Sequence, residues 1–106
     1  RADFATLAAA RSGTGPADLP APEVVLDVRL TYEWREQHID GAVHIPLPEL
    51  PQRLAELPSG AVWVHCRSGY RATIAASLLA NAGRQGVLID DHVDHAVDAG
   101  LLAAAA

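Results

Sequence analysis

The chain has 106 residues, a formal net charge of −5 and 50% hydrophobic residues, which suits one compact domain with an ordinary hydrophobic core rather than two. The acidic balance argues against a nucleic-acid binder, which usually shows a basic face. No apolar run approaches a membrane span, no basic-then-apolar leader opens the chain, and a single cysteine leaves neither an internal disulfide framework nor a zinc site built on several thiolates.

In chain order, Phe4 to Ala10 has modest helical character, and Ser12 to Pro22, rich in Gly, Pro and Ala, reads as a surface connection. Glu23 to Val28 is a short run of Val and Leu that predicts a buried strand. Thr31 is placed to cap a short helix through Trp34, with Glu33 favoured in its first turn by the helix dipole. Ala42 to Ile45 reads as a second short strand that stops at Pro46. Leu50, Leu54 and Leu57, spaced by four and three with Pro51 in the first turn, suggest a helix with one apolar face.

Ala61 to His65 predicts another strand. Tyr70 to Ala82 predicts the best helix of the chain, with Ile74, Ala75, Leu78, Leu79 and Ala82 on one stripe and Gly83 just past its end. Gly86 to Ile89 predicts a strand, and Asp91 to Ala99 a weaker helix closed by Gly100. Strands alternating with helices imply an α/β domain with a mainly parallel sheet and helices on both faces. The expected organisation is an N-terminal helix and linker over 1–22, the domain proper over 23–102 and a tail over 103–106. All eight basic residues are Arg, there is no Met, and the chain opens at Arg1; it reads as a soluble, cytoplasmic domain excised from a longer protein.

The chemistry concentrates at one junction. A buried strand ends at His65, Cys66 follows at once, and the chain then reads Arg67, Ser68, Gly69, Tyr70 and Arg71 into the best helix. Ligands of open parallel sheets bind at the carboxyl ends of strands. None of the five residues after Cys66 is Pro, so each offers a backbone N–H, and Gly69 allows the curvature that turns such groups inward. The start of the helix and the charges of Arg67 and Arg71 add to the positive field, which favours the nucleophilic thiolate. A core cysteine would need none of this. No Gly-rich dinucleotide fingerprint follows the first strand, so no nicotinamide or flavin cofactor is implied, nor any other.

Cys66-Arg-Ser-Gly-Tyr-Arg71 resembles the active-site loop of rhodanese domains. Leu26-Asp-Val-Arg29 resembles their first-strand motif, Glu33-Trp34 and His38-Ile-Asp-Gly-Ala-Val-His-Ile-Pro46 their second conserved segment, and Ala99-Gly-Leu101 the end of their last helix. Four motifs in order over about residues 23 to 102 make the resemblance specific. It departs at Asp91-His92, where many members carry Gly-Gly, and at Ala96, where many carry Trp. Asp90-Asp91 and the Gly-Tyr-Arg loop ending resemble rhodanese domains attached to metallo-β-lactamase-fold hydrolases, which implies a fusion partner.

The resemblance implies a three-layer α/β/α fold around a central, mainly parallel sheet of about five strands, and a sulfurtransferase. Cys66 would take a sulfane sulfur from a small sulfur-containing anion such as thiosulfate and hand it to cyanide, a thiol or a protein acceptor. Arg67 and Arg71 would hold the donor's oxyanion end, Arg71 with the alternative of pairing with a carboxylate. Asp27 and Arg29 would sit near the loop as a bracing salt bridge. Related cysteine phosphatases and arsenate reductases have a loop one residue longer between Cys and Arg, so the narrower loop here suits sulfur rather than a tetrahedral oxyanion. A rhodanese-like sensor or docking module is the rival outside enzymes. No metal is expected: His38 and His44 belong to the conserved segment, and His92 and His95 among Asp90, Asp91, Asp94 and Asp98 suit a solvated acidic face. Trp34 and Trp63 are expected in the core, and Tyr70 at the pocket mouth.

Overall fold

A computed structural model describes residues 1–103. The last three residues of the tail expected over 103–106 lie outside the described residues. Four strands, β1 (Val24–Asp27), β2 (Val43–His44), β3 (Val62–His65) and β4 (Gly86–Leu88), form a sheet in the order β2-β1-β3-β4 with every pairing parallel. The expected count of about five strands resolves into these four and a one-residue parallel bridge, Ala2 with Ile89, on the β4 side.

The alternation of side chains along each strand divides the core in two. Val24, Leu26, Val62 and Val64 face one layer, and Val25, Trp63 and Val87 the other. The first layer is closed by Ala72, Ala75 and Leu79 of α4 (Tyr70–Asn81) and by Leu50 of a short α3 (Leu50–Arg53). The second is closed by Phe4 and Leu7 of α1 (Phe4–Arg11) and by Ala96 of α5 (Asp94–Asp98). Helices therefore cover both faces, as burial of a parallel sheet requires. No described helix is long and apolar enough to cross a membrane.

Several elements differ in detail from the sequence expectation. The helix α2 (Thr31–Glu36) begins at Thr31 but is capped from Leu30, whose N–H donates to the Glu33 carboxylate at 3.0 Å. Leu50 to Leu57 is not one helix: α3 is flanked by 3₁₀ turns at Leu47–Glu49 and Leu54–Glu56. Pro51 has no N–H to donate back to Leu47, so the turn at Leu47–Glu49 does not run on into α3 as one regular helix. The helix α5 starts only at Asp94 because Asp91 is already engaged, accepting from the N–H of Phe4 at 3.0 Å and of His92 at 2.8 Å.

Trp63 is fully buried and donates its indole N–H to the Pro20 carbonyl at 3.0 Å. Trp34 is only half-buried. Its ring stacks on His38 and His44 at centroid distances of 3.7 and 4.9 Å, which explains why those histidines accompany it in the sequence.

Candidate active site

Cys66 is the first residue past β3, at the carboxyl end of the central strands, and its side chain is buried on the α4 face. Its Sγ accepts hydrogen bonds from the N–H of Gly69 at 3.1 Å and of Ala72 at 3.3 Å. The loop thus curls around the sulfur and then becomes α4. Gly69 makes this possible: it has φ +103°, and a Cβ there would lie 2.5 Å from Asp90 Oδ1. The Arg67 carbonyl accepts from the Val93 N–H at 2.7 Å and ties the loop to the segment before α5. Thr73 donates both its N–H and its hydroxyl to the Gly69 carbonyl, at 2.9 and 2.8 Å, and fixes the other end.

The geometry at the sulfur also sets the phase of α4. With Ala72 turned under so that its N–H meets Sγ, the inward stripe becomes Ala72, Ala75 and Leu79. Ile74, expected inside, is instead exposed, as is Ala82.

The two loop arginines part company. Arg71 gives both terminal nitrogens to Glu33, Nη1 to Oε1 at 2.7 Å and Nη2 to Oε2 at 3.0 Å, joining the first turn of α4 to α2. Arg67 is exposed and makes no ion pair among the described residues. Ser68 and Tyr70 are also exposed, Tyr70 by 77%. Beside the loop a polar pocket of ≈ 290 Å³ opens, lined by Arg29, Glu33 and Arg67 among others.

Asp27 ends β1, Arg29 lines the pocket beside the loop, and both are almost fully buried. The Asp27 carboxylate accepts from the Arg29 N–H at 2.9 Å, from Nε at 3.0 Å and from Nη2 at 2.8 Å. Arg29 Nη2 also donates to the Gln37 carbonyl at 2.8 Å and so holds the end of α2. This pair therefore braces the fold, with the Arg29 N–H, Nε and Nη2 all committed to it or to Gln37.

Sequence reasoning missed three neighbours of the site. Glu33, noted as a helix-start residue and as part of the Glu33-Trp34 motif but not as a site residue, is the partner of Arg71 across 38 positions. Asp90 abuts Gly69, and His65 sits beside Asp27 in the last rung of the β1–β3 pairing. Such long-range contacts leave no trace in spacing along the chain.

The Arg71 guanidinium, with help from the Leu30 N–H, holds the Glu33 carboxyl down at about 2 against the opposing effect of burial. A depressed carboxyl contributes stability above its ordinary value, and that contribution is lost as pH falls from about 4.5 through about 2. Acid titration should therefore remove up to about 3 kcal/mol from this pair, less the part that solvent screens at the partly exposed Arg71. Glu33→Gln should flatten that part of the stability profile; urea midpoints taken across the same window check it, and an unchanged slope would refute the assignment.

The rhodanese-like domain family matches residues 5–93. Among curated relatives, the putative sulfur carrier protein YrkF of Bacillus subtilis is 38% identical over 65 residues, spanning 60% of this chain and 35% of its own length. The HTH-type transcriptional regulator Rv0324 of Mycobacterium tuberculosis is 41% identical over 75 residues, 67% of this chain and 33% of the regulator. The thiosulfate sulfurtransferase PspE of Escherichia coli is 32% identical over 66 residues, 59% of this chain and 64% of PspE. The chain thus spans about a third of the first two relatives and less than two thirds of the third. The solution structure of the rhodanese-like domain of the Anabaena protein Alr3790 superposes with a TM-score of 0.78 over 95% of this chain and 75% of that one, at 22% identity, a likeness of fold. By the match over residues 5–93, carried on a parallel sheet with the cysteine loop at its carboxyl edge, the chain belongs to the rhodanese-like family.

Proposed function

We propose that the domain is a sulfurtransferase that carries sulfane sulfur as a persulfide on Cys66. The observation that supports this best is the sulfur itself: Cys66 Sγ sits at the focus of inward-turned loop N–H groups, those of Gly69 and Ala72, in a loop with four residues between Cys66 and Arg71. Such donors stabilise negative charge on sulfur without any proton transfer.

In the first half-reaction the Cys66 thiolate attacks the outer sulfur of thiosulfate. A bond forms between Sγ and that sulfur, the donor's S–S bond breaks, and sulfite leaves with the electron pair. In the second, cyanide or a thiolate attacks the outer sulfur of the persulfide, and Cys66 leaves as thiolate. Thiocyanate, or the acceptor's own persulfide, is the product. Exposed Arg67, without an ion pair among the described residues, lines the pocket beside the loop and is the candidate for binding the sulfonate end of the donor. Arg71 serves instead through Glu33, holding the start of α4. Ser68 and Tyr70 complete the loop rim.

The likeness to a transcriptional regulator favours a second reading, a sensing module in which the same persulfide is formed but not passed on. Intact mass after incubation with thiosulfate tests both. The native protein should gain one sulfur atom, and cyanide should remove it with thiocyanate as product. Loading without unloading supports the sensor. No gain, or the same gain in Cys66→Ala, overturns the persulfide altogether.

A further inference from the structure

His65 is fully buried, and its Nε2 is the one buried side-chain polar atom without a hydrogen-bond partner among the described residues. The ring lies on the Phe4 face of the sheet, edge-on to Phe4 at a centroid distance of 5.3 Å. Cys66 Sγ lies on the opposite face. The imidazole therefore has no direct path to the sulfur, and yet its Nδ1 stands 3.2 Å from the Cys66 carbonyl.

A carbonyl oxygen only accepts, so this bond puts a proton on Nδ1. Burial pushes the ring below its ordinary pKa while the Asp27 carboxylate pulls the other way, so the ring is neutral and Nε2 is left bare. Nε2 then faces Asp27 Oδ2 at 3.7 Å, beyond hydrogen-bond reach. The other neutral tautomer would give Nε2 a proton to point at the carboxylate, but would set a bare Nδ1 against a carbonyl. The ring thus leaves one nitrogen unpaired and keeps its bond to Cys66.

That bond acts on the next residue. The Cys66–Arg67 peptide is planar and trans, so its C=O and N–H point in opposite directions. Holding the carbonyl toward the Phe4 face directs the Arg67 N–H toward the face that holds Sγ. A donor to the carbonyl also polarises the N–H of the same peptide. We propose that His65 is a positioning residue for the sulfur cradle, pinning the Cys66 carbonyl so that the Arg67 N–H joins those of Gly69 and Ala72 around the sulfur carried by Cys66. This rests on the sulfurtransferase reading above.

The test compares His65→Phe, which keeps a ring against Phe4 but has no donor, with His65→Asn, whose side-chain N–H can occupy the place of Nδ1. His65→Leu carries the donor-free arm if the phenyl variant does not fold. Two quantities are read: the rate of sulfur uptake from thiosulfate, and the direction of the Arg67 N–H from residual dipolar couplings of isotope-labelled protein. His65→Phe should lose about tenfold in uptake at a denaturant midpoint no lower than native, with the Arg67 N–H turned away. His65→Asn should stay near native in both. A native rate and N–H direction in the donor-free variant, or a His65→Asn no better than it, would overturn the proposal. If the native protein takes up no sulfur, the sulfurtransferase reading fails, while the N–H directions in the unloaded proteins still decide the role of His65.

Discussion

Arg29→Met should lower the free energy of unfolding by about 3–5 kcal/mol, the largest stability effect expected of any single substitution at the site. The Asp27 carboxylate is fully buried and Arg29 nearly so. Removing the guanidinium strips three side-chain donor contacts from the carboxylate and leaves an uncompensated charge at the end of β1, beside the bare Nε2 of His65. It also frees the Gln37 carbonyl at the end of α2. Asp27→Leu combined with Arg29→Met should recover much of the loss, because an apolar pair of similar volume often replaces a buried ion pair at little cost. Urea midpoints of the single and double variants decide the matter. A single variant within about 1 kcal/mol of native would mean that the pair contributes little to stability. Native-like sulfur uptake by the folded double variant would assign Asp27 and Arg29 to the frame alone.

The layout of the domain was readable because it follows from local rules. Short runs of Val, Leu and Ile between turn residues located the four strands, and their alternation with helices gave a parallel sheet covered on both faces. Cys66, its loop and the helix that follows were placed for the same reason: a strand end, a glycine and a helix start are all local signals. The discrepancies arise where a distant contact overrides a local one. Ile74 outranks Ala72 in hydrophobicity, yet Ala72 faces inward because its N–H must meet the sulfur. Trp34 would be expected in a core, but two histidines 4 and 10 residues along supply stacking partners near the surface. Arg71 could be read as a substrate ligand or as the partner of a carboxylate, and only the fold brings Glu33 to it. Charge along a sequence does not say which cation is already paired.

Gly69→Ala brings the loop's geometry and its chemistry into one experiment. A residue with a side chain at φ +103° is strained whatever surrounds it, a cost of about 1–3 kcal/mol. The added Cβ would also press on Asp90 Oδ1 at 2.5 Å. Asp90 is anchored by Arg1 at 3.1 Å, an exposed pair that contributes little on its own. Adding Asp90→Ala should therefore relieve the steric part of the penalty and leave the backbone part, whereas Asp90→Ala alone should stay close to native. The relaxed loop of Gly69→Ala moves its N–H away from Sγ, 3.1 Å away in the native fold, and one misplaced donor should slow sulfur uptake at least about tenfold. In the double variant stability should rise while uptake stays low, since relieving Asp90 does not restore a left-handed residue 69. If Gly69→Ala takes up sulfur at the native rate, the inward-turned N–H of residue 69 is not part of what holds the transferred sulfur.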